Sequence, residues 1–137
     1  MHMRPLTRLR LLRGAGILLL ALGIVHLVAT PHIATLVRQA TSSADARWLT
    51  PPMLLNHILV GVLLLPLGFL TLYAAPHAVG GLSWAQVVVR TVALTFATLP
   101  ITLFVIMGTR YDAPLFVVGA VLTVVAAVIL LVVAFVR

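Results

Sequence analysis

Apolar residues run through this chain in four long blocks, at 14–37, 53–75, 84–108 and 114–136, and charged residues are confined almost entirely to the intervals between them. A bilayer's hydrocarbon is about 30 Å thick and takes about 20 helical residues to cross. Each block reaches that length. None shows the alternation of a half-buried strand, and lipid demands elements that satisfy their own backbone groups. The expected fold is an all-α integral membrane protein. It is a four-helix antiparallel bundle forming a single transmembrane domain over 1–137, with spans at about 11–30, 53–75, 84–108 and 114–136.

Proline and glycine punctuate the pattern. Pro51-Pro52 is placed to start the second span, since proline suits a helix's first turn. Pro76 with Gly80-Gly81 is placed to end it in a short loop over 75–83. Thr30-Pro31 interrupts the first block. The expectation is a break there, with Thr30 capping a short external interfacial helix over about 31–40. The arginines before the first block resemble a signal-peptide leader, but no small-x-small cleavage site follows, so the block is read as a retained helix.

Composition strengthens the membrane reading. Hydrophobic residues are 63% of the chain and charged ones 8%, against about 25% charged in soluble domains. All nine cations are arginine, and the net charge of +7 is attributed to topology and anionic lipid, not to nucleic acid. With four spans, Arg4, Arg8, Arg10, Arg13, Arg90 and Arg137 fall on one side, and Arg38, Arg47 and Arg110 on the other. The positive-inside rule then puts both termini in the cytoplasm and makes a bacterial cytoplasmic (inner) membrane the expected location.

The chemistry is bounded by what is missing. There is no cysteine, hence no thiolate ligand, disulfide or iron–sulfur site. Glutamate is absent too, and Asp45 and Asp112 are the only acids, both between spans. A proton-coupled transporter has no intramembrane carboxylate to use. No nucleophile stands beside a base and no phosphate loop is present, so an enzyme is disfavoured.

Three groups remain as candidates. His26 and His57 fall at matching depth on neighbouring helices, each with a glycine (Gly23, Gly61) one turn deeper. Neutral imidazoles so placed suit haem b or a metal ion, with the glycines leaving room for a macrocycle. A pair hydrogen-bonded for structure alone, with no cofactor, is the plainer expectation. Thr91, Thr95, Thr98, Thr102 and Thr109 form a ladder on one face of the third helix, opposite Pro100. They are expected to pack inward or to line a polar cleft. Asn56, Arg110, Tyr111 and Asp112 gather at the external side as candidate ligand contacts. Stripes of small residues on all four helices (Gly16, Gly23 and Thr30; Gly61 and Gly68; the threonines; Gly119, Thr123 and Ala126) favour close helix packing. They point to an accessory or scaffold subunit of a larger membrane assembly or a homo-oligomer. The alternatives are a haem- or metal-binding redox subunit built on His26 and His57, and a small anion or solute channel lined by the threonine ladder.

Overall fold

The computed structural model describes residues 3–40, 42–107 and 114–135. They form four helices: α1 (Pro5–Ala40), α2 (Ser43–Val79), α3 (Ser83–Met107) and α4 (Pro114–Phe135). All four are long and apolar enough to cross a membrane. The helices pack in a ring, α1 against α2 and α4, and α3 against α2 and α4. The protein is an all-α four-helix membrane bundle.

The first two helices are longer than their spans require. At 36 and 37 residues each is about 55 Å long, against about 33–38 Å for α3 and α4. The expected break at Thr30-Pro31 does not occur. Instead of capping a new helix, Thr30 donates its hydroxyl to the His26 carbonyl one turn earlier at 2.9 Å. The interfacial segment 31–40 is therefore the last third of α1. Pro31 removes one backbone donor, but unbroken packing along α2 holds the axis, as is common for proline in membrane helices.

The same correction applies across the connection. Pro51-Pro52 lies two turns inside α2 and not at its start. The start is set by Ser42, whose Oγ accepts from the Asp45 N–H at 3.2 Å while its hydroxyl donates to the Asp45 carboxylate at 2.5 Å. That N-terminal cap satisfies one of the backbone donors the first turn would leave unpaired. What sequence suggested was an external loop is a helical hairpin.

At the other end α2 runs past Pro76 to Val79, and the expected loop over 75–83 shrinks to a tight turn. Gly81, at φ +88°, takes the left-handed conformation that glycine adopts without strain. It lets Gly81 N–H reach the Ala78 carbonyl and Leu82 N–H reach that of His77, the Schellman arrangement. His77, expected in a loop, is in the last helical turn.

The buried core is concentrated towards the end of the bundle that carries the termini. Leu12, Ala15, Leu19 and Leu22 of α1 meet Leu64, Ala74, Ala75 and Ala78 of α2. Ala85, Val89, Val92, Ala93 and Phe96 of α3 and Ala126, Leu130 and Val133 of α4 complete it. At the same end Arg8 Nε donates to the Val133 carbonyl (3.2 Å) and Arg90 Nε to that of Ala134 (3.4 Å). Arg90 also lies over the Phe135 ring, 5.7 Å from its centroid. Both arginines thus bind the last turn of α4, where carbonyls lack intrahelical donors. Arg90 thereby serves the bundle itself.

Candidate functional site

The α1–α2 seam brings the two histidines together. Gly16 lies opposite Gly68 and Gly23 opposite Gly61, so close that a Cβ built on Gly23 would meet the Gly61 carbonyl at 3.0 Å. This register places His26 and His57 side by side, ring centroids 4.7 Å apart and ring planes tilted by 34°. His26 Nδ1 is 2.9 Å from the Leu22 carbonyl. A carbonyl can only accept, so Nδ1 carries a proton. His57 Nε2 is buried and has no hydrogen-bond partner.

That geometry bears on what could fit between the rings. A haem held between two axial imidazoles needs the macrocycle and its iron between the rings, with each nitrogen about 2 Å from the metal, and rings 4.7 Å apart leave no layer for it. The flanking glycines give no extra room either. The space over Gly61 is filled by Leu27, whose Cγ a Cβ there would meet at 2.9 Å, and that over Gly23 by Leu64 and Leu65. These glycines exist for helix contact, so the expected macrocycle space is absent. Imidazole is a ligand type that suits a small metal ion. Among the described residues, however, no group of three or more histidine, cysteine or acidic side chains converges on one point.

The other candidates lie elsewhere. Asn56 is exposed beside His57. Arg110, Tyr111 and Asp112 lie outside the described residues, as does Thr109. The threonine ladder is turned away from the core. Thr91, Thr95, Thr98 and Thr102 are all exposed, while Val89, Val92, Ala93, Phe96 and Pro100 face inward. The ladder therefore neither packs inside this bundle nor lines a cleft within it. The physical reason is simple: α3 has one face bulky and apolar enough to fill the ring's centre, and the threonines occupy the other.

Sequence reasoning missed two clusters. Tyr73, His77 and Trp84 form an aromatic group across the α2–α3 turn, with His77 and Trp84 centroids 5.3 Å apart and Tyr73 and Trp84 6.0 Å apart. Extending α2 by one turn past Pro76 would have brought it into view. The second is a cleft at the far end of the α1–α2 hairpin, lined by Arg38, Ala46, Arg47, Thr50 and Pro51. It stayed hidden because the segment read as a loop. No family model, curated protein or solved structure matches this chain.

Proposed function

We propose that the chain is an accessory or scaffold subunit of a membrane assembly, or a homo-oligomer, in which a further transmembrane helix covers the threonine face of α3. One observation carries this reading: Thr91, Thr95, Thr98 and Thr102 are all exposed on a single stripe. Thr98 returns its hydroxyl to the Thr95 carbonyl at 2.7 Å. Thr91, Thr95 and Thr102 have no hydroxyl partner among the described residues. Leaving polar groups without partners in hydrocarbon is unfavourable, and small hydroxylated residues are those that let a second helix approach closely. The arginine distribution supports both termini being cytoplasmic, in a bacterial inner membrane. A channel would need its polar path between protomers, since the ladder faces outward.

Single-cysteine variants at Thr95 and Thr102 test the reading by crosslinking in native membranes. A disulfide-linked dimer supports the homo-oligomer, and a crosslink to a co-purifying membrane protein supports the subunit. A monomeric particle in nanodiscs, with no crosslink from either position, overturns both.

The imidazole pair favours a second reading, a subunit that holds a small metal ion between His26 and His57. Its support is the contact between the two rings and the buried Nε2 of His57, which has no hydrogen-bond partner. Metal analysis of wild type against His57→Leu tests it. Equal metal content in the two proteins rules it out.

A further inference from the structure

The cleft near the tip of the α1–α2 hairpin has a volume of about 440 Å³ and draws a basic residue from each helix, Arg38 from α1 and Arg47 from α2. Neither arginine has a carboxylate partner among the described residues, where the sole acid, Asp45, is engaged by the Ser42 hydroxyl. Arg38 is tethered through Nε to the Ala34 carbonyl at 3.2 Å. That fixes the guanidinium plane and leaves its terminal N–H groups for something else.

The third polar group is Thr50. A helical threonine ordinarily returns its hydroxyl to the carbonyl a turn earlier. Thr30, Thr35, Thr71 and Thr123 all do so here. Thr50 Oγ1 does not, and unlike the exposed Thr91, Thr95 and Thr102, which also lack a partner, it is buried. A buried donor without an acceptor, beside two guanidinium groups without an anion, calls for an acceptor of negative charge.

The cleft's depth indicates which anion. From Gly14, the 20 residues to Ala34 rise about 30 Å, the thickness of the hydrocarbon. The register that pairs Gly16 with Gly68 and Gly23 with Gly61 brings Ala34 level with Thr50. Arg38, Arg47 and Thr50 therefore stand at the edge of the hydrocarbon, where lipid phosphates lie. Trp48, 82% exposed beside them, is the residue type that settles at that interface.

We propose that Arg38, Arg47 and Thr50 form a binding site for one phosphate group, delivered by a phospholipid headgroup or by phosphate in solution. The two guanidinium groups donate to its oxygens, and the Thr50 hydroxyl, covered in this structure, turns about χ1 to donate to a third. The cleft's volume falls within the range of small-molecule sites.

Native mass spectrometry of the full chain in mild detergent tests the site, using phosphatidylglycerol, phosphatidylcholine, diacylglycerol and inorganic phosphate as probes. Retention of one equivalent of either phospholipid, but not of diacylglycerol, supports the lipid phosphate as the source. Binding of inorganic phosphate, with competition against phospholipid, supports the free anion. Arg38→Gln and Arg47→Gln should each weaken retention about tenfold, and Thr50→Val about threefold, while Arg10→Gln leaves it unchanged. Arg47→Lys keeps the charge but loses the planar fork and should weaken binding as well. Thr50→Ser should restore it, and helicity by circular dichroism guards against misfolding. Equal retention in wild type, Arg38→Gln and Arg47→Gln overturns the proposal, as does equal binding of diacylglycerol, or binding of neither phospholipid nor phosphate.

Discussion

Gly16 and Gly68 meet so closely across the α1–α2 seam that a Cβ placed on Gly68 would lie 2.8 Å from the Gly16 carbonyl oxygen. The obstacle there is backbone, which cannot swing aside as a side chain can. In lipid no hydrophobic force drives helices together, so close backbone approach and dispersion must do it. The hairpin that positions both histidines and the arginine cleft depends on this contact.

Gly68→Ala should accordingly force the helices apart and cost about 1–3 kcal/mol in unfolding free energy, by the usual penalty for overpacking. Gly14→Ala and Gly119→Ala are the controls, because a Cβ at either site meets nothing within 4 Å. Those two should be neutral or slightly stabilising through helix propensity. Reversible unfolding in mixed micelles measures all three. Equal effects at Gly68 and Gly119 would show that the seam is not limited by close approach.

Arg90 and Arg8 converge on the last turn of α4. Arg90→Gln should lower stability by about 1 kcal/mol, the scale of a partly exposed charge-assisted bond at a helix C-terminus. Amide exchange should speed up at 130–135 more than at 117–122. A uniform increase along α4 would mean that Arg90 acts on the whole bundle and not on that turn.

The parts of the fold that followed from periodicity alone were readable in sequence: four apolar spans, and glycines Gly16, Gly23, Gly61 and Gly68 aligned at helical spacing. The glycine stripes were legible as faces for close packing, but Gly23 and Gly61 also read as room for a macrocycle, and only the facing Leu27, Leu64 and Leu65 decide. The boundaries were less so. Pro31, Pro51, Pro52 and Pro76 carry strong local signals to stop a helix, yet all four lie within helices. Tertiary packing overrode the local preference, as it can where a neighbouring helix fixes the axis. The capping pair Ser42–Asp45 was the better signal for where α2 begins. The threonine ladder's register was readable too, but not its direction. A stripe of threonine looks the same whether it faces its own core or a partner, and only the bulk of Phe96 and Val92 on the opposite face decides.

The arginine asymmetry makes a further prediction about orientation. A cysteine at Ala44, exposed near the hairpin tip, should react with an impermeant maleimide added outside intact cells. One at His77, exposed at the opposite end, should react only after permeabilisation. Ala78 is unsuitable because its side chain is fully buried. The reverse pattern would invert the topology and place the arginine cleft in the cytoplasm.

His57 offers a test that separates a structural pair from a metal site. In the metal-free protein its Nε2 is buried without a partner, and such a group costs about 1–3 kcal/mol relative to an apolar side chain of similar volume. His57→Leu should therefore be at least as stable as wild type in the presence of a chelator. His26→Leu gains nothing comparable, because it also removes the Nδ1–H bond to the Leu22 carbonyl. A metal ion held by both rings reverses the order. At about a hundred times its dissociation constant a ligand adds about 2.7 kcal/mol of stability, and only wild type could receive it. Thermal unfolding with chelator, and then with added zinc or copper(I), reads both effects in one series. Stabilisation of wild type by metal but not of His57→Leu establishes a bridging ion. No response in either protein, with His57→Leu the more stable, makes the pair a packing contact within the α1–α2 seam.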